Sequence, residues 1–183
     1  MGIGIVLDLI ILFALVGGIL WNMRRGFLRA LVGTVMLFLA LTFAALLYSV
    51  LLTWFDNALQ HPGSGRTGGS VVFGGMLILF YSILEYTVSR NYPHLRIERL
   101  GVWDNILGAI VGIVWSMLAI SLALMVLDFA VISVGEQVSF IGQLLQTSFM
   151  VKVFRGFFQI PMAPLRLLFP KGLPEILQYF TRT

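Results

Sequence analysis

The chain has no cysteine, which excludes a disulfide framework, thiolate metal sites and a cysteine nucleophile. Charge is scarce: 11% of the 183 residues are Asp, Glu, Lys or Arg, against roughly 25% in an average soluble domain. Histidine is nearly missing, with only His61 and His94 present. What fills the space is apolar, with 59% hydrophobic and 13% aromatic residues. A chain of this length cannot hide so much apolar surface in a water-soluble core, because small domains leave much of their surface exposed. An ordinary soluble domain is therefore excluded, and so is a disordered chain. The expected fold is an all-α integral membrane protein.

A lipid-spanning helix needs about 20 mostly apolar residues, and four runs qualify. They are Ile3 to Met23, Phe27 to Phe55, Ser70 to Val88 and Ile106 to Val134. Helices are required because lipid offers no partner for an unpaired N–H or C=O. The first run has no basic flank or small-residue cleavage site and contains Asp8, so it is expected to be retained as a helix. After residue 134 the chain is too broken to span and too apolar for water. Ile141, Leu144, Leu145, Phe149, Val153 and Phe157 recur at helical spacing, interrupted by Gln143, Gln146, Lys152 and Arg155. Residues 1–134 are thus expected to form a four-helix transmembrane domain. Residues 135–183 are expected to form an amphipathic interfacial helix and a tail punctuated by Pro161, Pro164, Pro170 and Pro174.

The formal charge is +4, but the basic residues are scattered among apolar runs rather than interleaved with aromatics along a groove, so nucleic acid is not expected as a partner. Headgroups explain them better. Arg24 and Arg25 lie in the first connection, with Arg29 just inside the second helix, and Arg90, Arg96 and Arg99 lie in the third. The positive-inside rule then puts both connections in the cytoplasm and both termini outside it. The lipid bilayer is the expected environment, and a homo-oligomer or membrane and envelope proteins are the expected partners.

Chemistry-bearing motifs are few. The stretch His61 to Gly68 contains a formal G-x-G-x-x-G, but it lacks the preceding strand and the following acidic residue of a dinucleotide site, so a loop is expected. No metal, cofactor or catalytic constellation is expected, and the chain does not read as an enzyme. Ionisable groups inside spans matter more, since a charge at the bilayer centre costs at least about 2.5–3.5 kcal/mol. Asp8 and Asp128 lie near helix ends and are expected to be structural. Glu85 is expected either to pair with an arginine across helices or to serve as an ion or proton site. Gly108, Gly112 and Ser116 form a small-residue stripe on the fourth helix, expected to pack closely against another helix, of the same chain by preference or else of a neighbouring chain. Asp104 suits the start of that helix, where a carboxylate meets free amides and the positive dipole end.

Two blocks carry a resemblance. Asp8-Leu9-Ile10-Ile11 followed by Arg25-Gly26-Phe27-Leu28-Arg29 resembles the opening of the colicin V production protein (CvpA) family. Asp104-Asn105-Ile106-Leu107-Gly108 with Gly112 resembles that family's last helix start, and Ser148 to Phe158 adds a weaker match. Asn105 and Trp115-Ser116 depart from the family pattern, which has arginines at the first two of these places. The resemblance implies four spans and a bacterial inner-membrane protein tied to toxin production or export and envelope homeostasis. It brings no catalytic residues. A scaffold or assembly factor is the leading expectation; an oligomeric channel or transporter with Glu85 in its path is the alternative.

Overall fold

A computed structural model describes residues 2–59, 65–92, 100–132, 140–169, 174 and 176–177. Among the described residues, the elements in chain order are α1 (Gly2–Arg25), α2 (Phe27–Leu59), α3 (Gly65–Asn91), α4 (Val102–Ile132), α5 (Phe140–Thr147) and α6 (Phe149–Leu168). The first four contain candidate membrane spans, Gly4–Arg25, Phe27–Phe55, Gly68–Asn91 and Val102–Val131. Their outer faces are the reason. Phe13, Ile10, Val50, Trp54, Val71 and Ile78 are all largely exposed, a surface that water would penalise and lipid accepts. Threonines inside the spans return their hydroxyls to the chain: Thr34 donates to the carbonyl of Ala30 and Thr42 to that of Phe38, both at 2.9 Å. Both threonine hydroxyls are thereby satisfied within their own helix.

α4 is the hub, packing against α1, α2, α3, α5 and α6. Its contact with α1 follows from the small-residue stripe. A Cβ placed on Gly108 would lie 3.0 Å from the carbonyl oxygen of Asn22, and one on Gly112 would lie 2.7 Å from the Asn22 Cβ. Further along, a Cβ on Gly18 would meet the Ser116 hydroxyl. As α1 ascends from 18 to 26, α4 descends from 116 to 108, so the two run antiparallel with backbones nearly touching. The expected intramolecular packing of the stripe is what the chain adopts. α2 uses another face, with Leu37, Leu41, Ala44, Ala45 and Tyr48 buried in a core shared with Phe73, Leu122, Met125 and Phe129.

Beyond the fourth span the single interfacial helix expected from sequence is two helices, broken at Ser148. The break shifts the helical phase. Phe149 and Val153, expected on the apolar face, are exposed. Val151, Phe154, Phe158, Met162 and Leu165 are buried instead, and the last three join the main core with α2, α3 and α4. α6 also runs through Pro161 and Pro164, where sequence placed a broken tail. A proline inside a helix costs roughly 3 kcal/mol or more. Burial of Phe158, Met162 and Leu165 on either side of those prolines offsets that cost.

Candidate functional site

The charged side chains of the spans gather at the two ends of the α1–α4 pair. At one end the chain passes from α1 to α2 through Gly26 alone, whose φ of +86° is in the region that favours glycine. The Asp104 carboxylate, 3% exposed, sits directly against this glycine. Its Oδ1 accepts from the Phe27 N–H at 2.9 Å. Asp104 lies in the first turn of α4, as expected, and it reaches across to cap the amide that begins α2. A carboxylate at that position satisfies an orphan donor and meets the positive end of the α2 dipole.

Beside this clasp, the Arg25 Nη1 donates to Glu85 Oε1 at 2.8 Å. Arg29 approaches the same oxygen at 3.8 Å and donates to the Ser89 hydroxyl at 2.6 Å. The Arg25 guanidinium also lies 4.7 Å over the Trp21 ring, a cation–π contact that suits the membrane boundary. Glu85 is therefore paired across helices with arginines of the first connection. Arg90, the nearer arginine in sequence, donates to the Tyr86 hydroxyl. Arg24 lies exposed at the end of α1. Arg96, Arg99, His61 and His94 lie outside the described residues, whereas Gly65 to Gly68, expected as loop, already belong to α3.

At the opposite end, Asp8 holds the start of α6. Ser148 donates its hydroxyl to Asp8 Oδ1, and the same oxygen accepts from the Met150 N–H at 3.0 Å. Oδ2 faces the Phe149 N–H at 3.4 Å, while the Ser148 Oγ accepts from the Val151 N–H at 3.2 Å. Two side chains thus satisfy the first three amides of α6, the donors that a helix start leaves without partners. Asp128, also largely buried, takes the Arg155 guanidinium at 2.5 Å. Ser121 donates to the carbonyl of Phe154, adding a second polar tie between α4 and α6.

Of the residues singled out in sequence, Gly26, Phe27, Asp104, Gly108 and Gly112 meet at one clasp. Arg25, Arg29 and Glu85 form the adjoining cluster, and Asp8 belongs to the other end. Arg155 and Asn22 are additions. Asn22 is buried and donates to the Gly18 carbonyl at 2.9 Å; an asparagine one turn before a glycine-linked helix junction was the available signal. Arg155, a lone guanidinium on an apolar segment 27 residues from Asp128, pointed to a buried partner. Among the described residues no group of three His, Cys, Asp or Glu could hold a metal ion.

Four apolar helices, charged groups confined to helix ends and an amphipathic helix tied into the bundle define a multi-pass α-helical membrane protein. The family model of the colicin V production protein matches residues 7–159, and the chain belongs to that family. The matched range holds both clasps and ends inside α6. Neither a curated protein nor a solved structure gives a significant match.

Proposed function

We propose that this chain is a non-enzymatic protein of the bacterial inner membrane that acts as a scaffold or assembly factor in toxin production, export and envelope homeostasis. The observation that carries the reading is how its intramembrane carboxylates are used. Each of the four acidic residues within the spans ties one helix to another: Asp8 to α6, Glu85 to Arg25, Asp104 to the start of α2, and Asp128 to Arg155. A carboxylate in a conduction path must be open to a moving ion, whereas Glu85 already faces two guanidiniums. The fixed bundle presents Phe149, Lys152, Val153 and Arg166 on the open side of α6, a face of mixed character for envelope proteins or for further copies of the chain. The arginine-bearing end lies in the cytoplasm and both termini lie outside it, following the positive-inside rule.

Liposomes holding the purified protein test the function. The expected result is no ion flux for wild type or Glu85→Gln under any imposed gradient. Flux that the substitution abolishes would replace the scaffold by a channel. Reporter fusions at Gly65 and at the C-terminus test the orientation, and cytoplasmic signals at both would reverse it. Extraction in native lipid should recover the protein with partners or in more than one copy.

A further inference from the structure

Between α3 and α4 runs an apolar groove of about 530 Å³. Ser70, Ile78 and Tyr81 line one wall, and Trp115, Ala123 and Ala130 the other. It is open on the side where Val71 and Ile78 are exposed. Both walls belong to candidate spans, so what fills the groove in a membrane is either lipid or protein. From Ser70 to Tyr81 the groove extends about 16 Å at the helical rise. Its lining is almost wholly apolar, and a trough of that length suits an extended hydrocarbon chain.

The α3 face that lines the groove continues past Tyr81 at helical spacing to Glu85 and Ser89, and there Arg25 and Arg29 converge. Arg24, Arg25 and Arg29 outnumber the Glu85 and Asp104 carboxylates here, leaving one excess positive charge. An apolar trough ending at a net cationic, hydroxyl-bearing cluster matches an amphiphile with a negative head. We propose that the α3–α4 groove and the Arg25–Arg29 cluster together form a binding site for an anionic phospholipid, with one acyl chain along the groove and the phosphate at the guanidiniums. A zwitterionic lipid offers the same chain, but its ammonium cancels the attraction at the head. The preference therefore resides in the arginines, and the occupancy resides in the groove.

Trp115 lines the groove and reports on it directly. Trp21, Trp54 and Trp103 are replaced by Phe, and the single-Trp protein is reconstituted in phosphatidylcholine vesicles. Lipids with brominated chains are then titrated in, as phosphatidylglycerol in one series and phosphatidylcholine in the other. One excess charge near the membrane surface should give about a fivefold preference for the anionic lipid, read as the ratio of mole fractions at half quenching. Arg25→Gln with Arg29→Gln should bring that ratio to one or below. Ala123→Phe keeps both arginines and fills the trough, so it should weaken Trp115 quenching by either lipid while circular dichroism is unchanged. A companion protein retaining only Trp54, which is exposed to lipid on α2, should show no preference. Equal half-quenching by the two lipids at Trp115 overturns the proposal, as does a preference that survives both the arginine substitutions and Ala123→Phe. Absence of quenching by either lipid also overturns it, because the groove is then covered by protein, and cross-linking through Ile78→Cys would show whether that protein is a second copy.

Discussion

Replacing Gly26 by alanine tests the clasp that joins three helices. The residue holds φ at +86°, and an L-residue in the left-handed region costs roughly 1–2 kcal/mol. The new methyl would also stand 2.2 Å from Asp104 Oδ2. A carboxylate oxygen on a free side chain would move aside cheaply, but this one belongs to the group that accepts from Phe27 N–H. Moving it loses a helix cap, typically about 1 kcal/mol. The two costs come to about 2–3 kcal/mol, which for a chain of this size lowers the unfolding midpoint by roughly 4–12 °C. The assay is thermal unfolding in mild detergent, followed by intrinsic fluorescence, for wild type, Gly26→Ala, Asp104→Ala and the double variant. In the Asp104→Ala background the methyl meets no carboxylate, so Gly26→Ala should then cost only its backbone strain. The two substitutions should be less than additive by about 1 kcal/mol. Strict additivity would refute the claim that the methyl acts through Asp104. An unchanged midpoint for Gly26→Ala would refute the clasp itself.

Three other perturbations probe the remaining joints. Gly112→Leu places its Cβ 2.7 Å from that of Asn22 and against the α1 backbone at Ile19, so it should lower the midpoint far more than Gly75→Leu, whose Cβ has nothing within 4 Å; similar losses would sink the close-packing account. Asp8→Asn and Ser148→Ala each weaken the α6 cap by about 0.5–2 kcal/mol. Amide exchange at Phe149 to Val151 should accelerate up to roughly 30-fold, and unaltered protection would mean that the cap holds nothing. Arg155→Ala leaves Asp128 buried without its guanidinium, a loss of about 3–5 kcal/mol. The double variant Asp128→Ala/Arg155→Ala should recover most of that, and a double variant less stable than Arg155→Ala would contradict the pairing.

The spans were legible because the bilayer reduces the sequence problem to one variable, the length of an apolar run. All four appear as helices within a few residues of their expected bounds. The stripe of Gly108, Gly112 and Ser116 was legible for a related reason, since in lipid close approach is what small residues offer a neighbouring helix. The partner of each carboxylate was less legible. Asp104 reaches an amide 77 residues away and Asp8 a hydroxyl 140 residues away, and periodicity along one helix carries no information on either. Glu85 shows the intermediate case. A cross-helix arginine was the expected partner type, yet Arg90 lies on the same helix face as Tyr86, and the fold delivers Arg25 instead. In the last third, one misread break propagated. Ser148 was visible as a serine leading an amphipathic segment, but treating the residues on both sides as one helix rotated the apparent apolar face from Phe154 and Phe158 to Val153 and Phe157.

The same device recurs at both ends of the molecule, and its repetition explains why so few charges suffice. Asp8 on α1 closes the start of α6, and Asp104 on α4 closes the start of α2. In each case one carboxylate answers two demands that lipid makes acute: its own charge needs donors, and a helix start needs acceptors. Both carboxylates belong to the α1–α4 pair, whose contact depends on Gly108 and Gly112. The helix starts of α2 and α6 are thus both registered to the α1–α4 pair, with α6 held further by Asp128 and Ser121 of α4. A wedge at Gly112 should therefore loosen amide protection at Phe27 and at Met150 together, although neither residue touches the substituted position. Loosening at Phe27 alone would show that the two ends are held independently, and the α1–α4 pair would lose its place as the spine of the bundle.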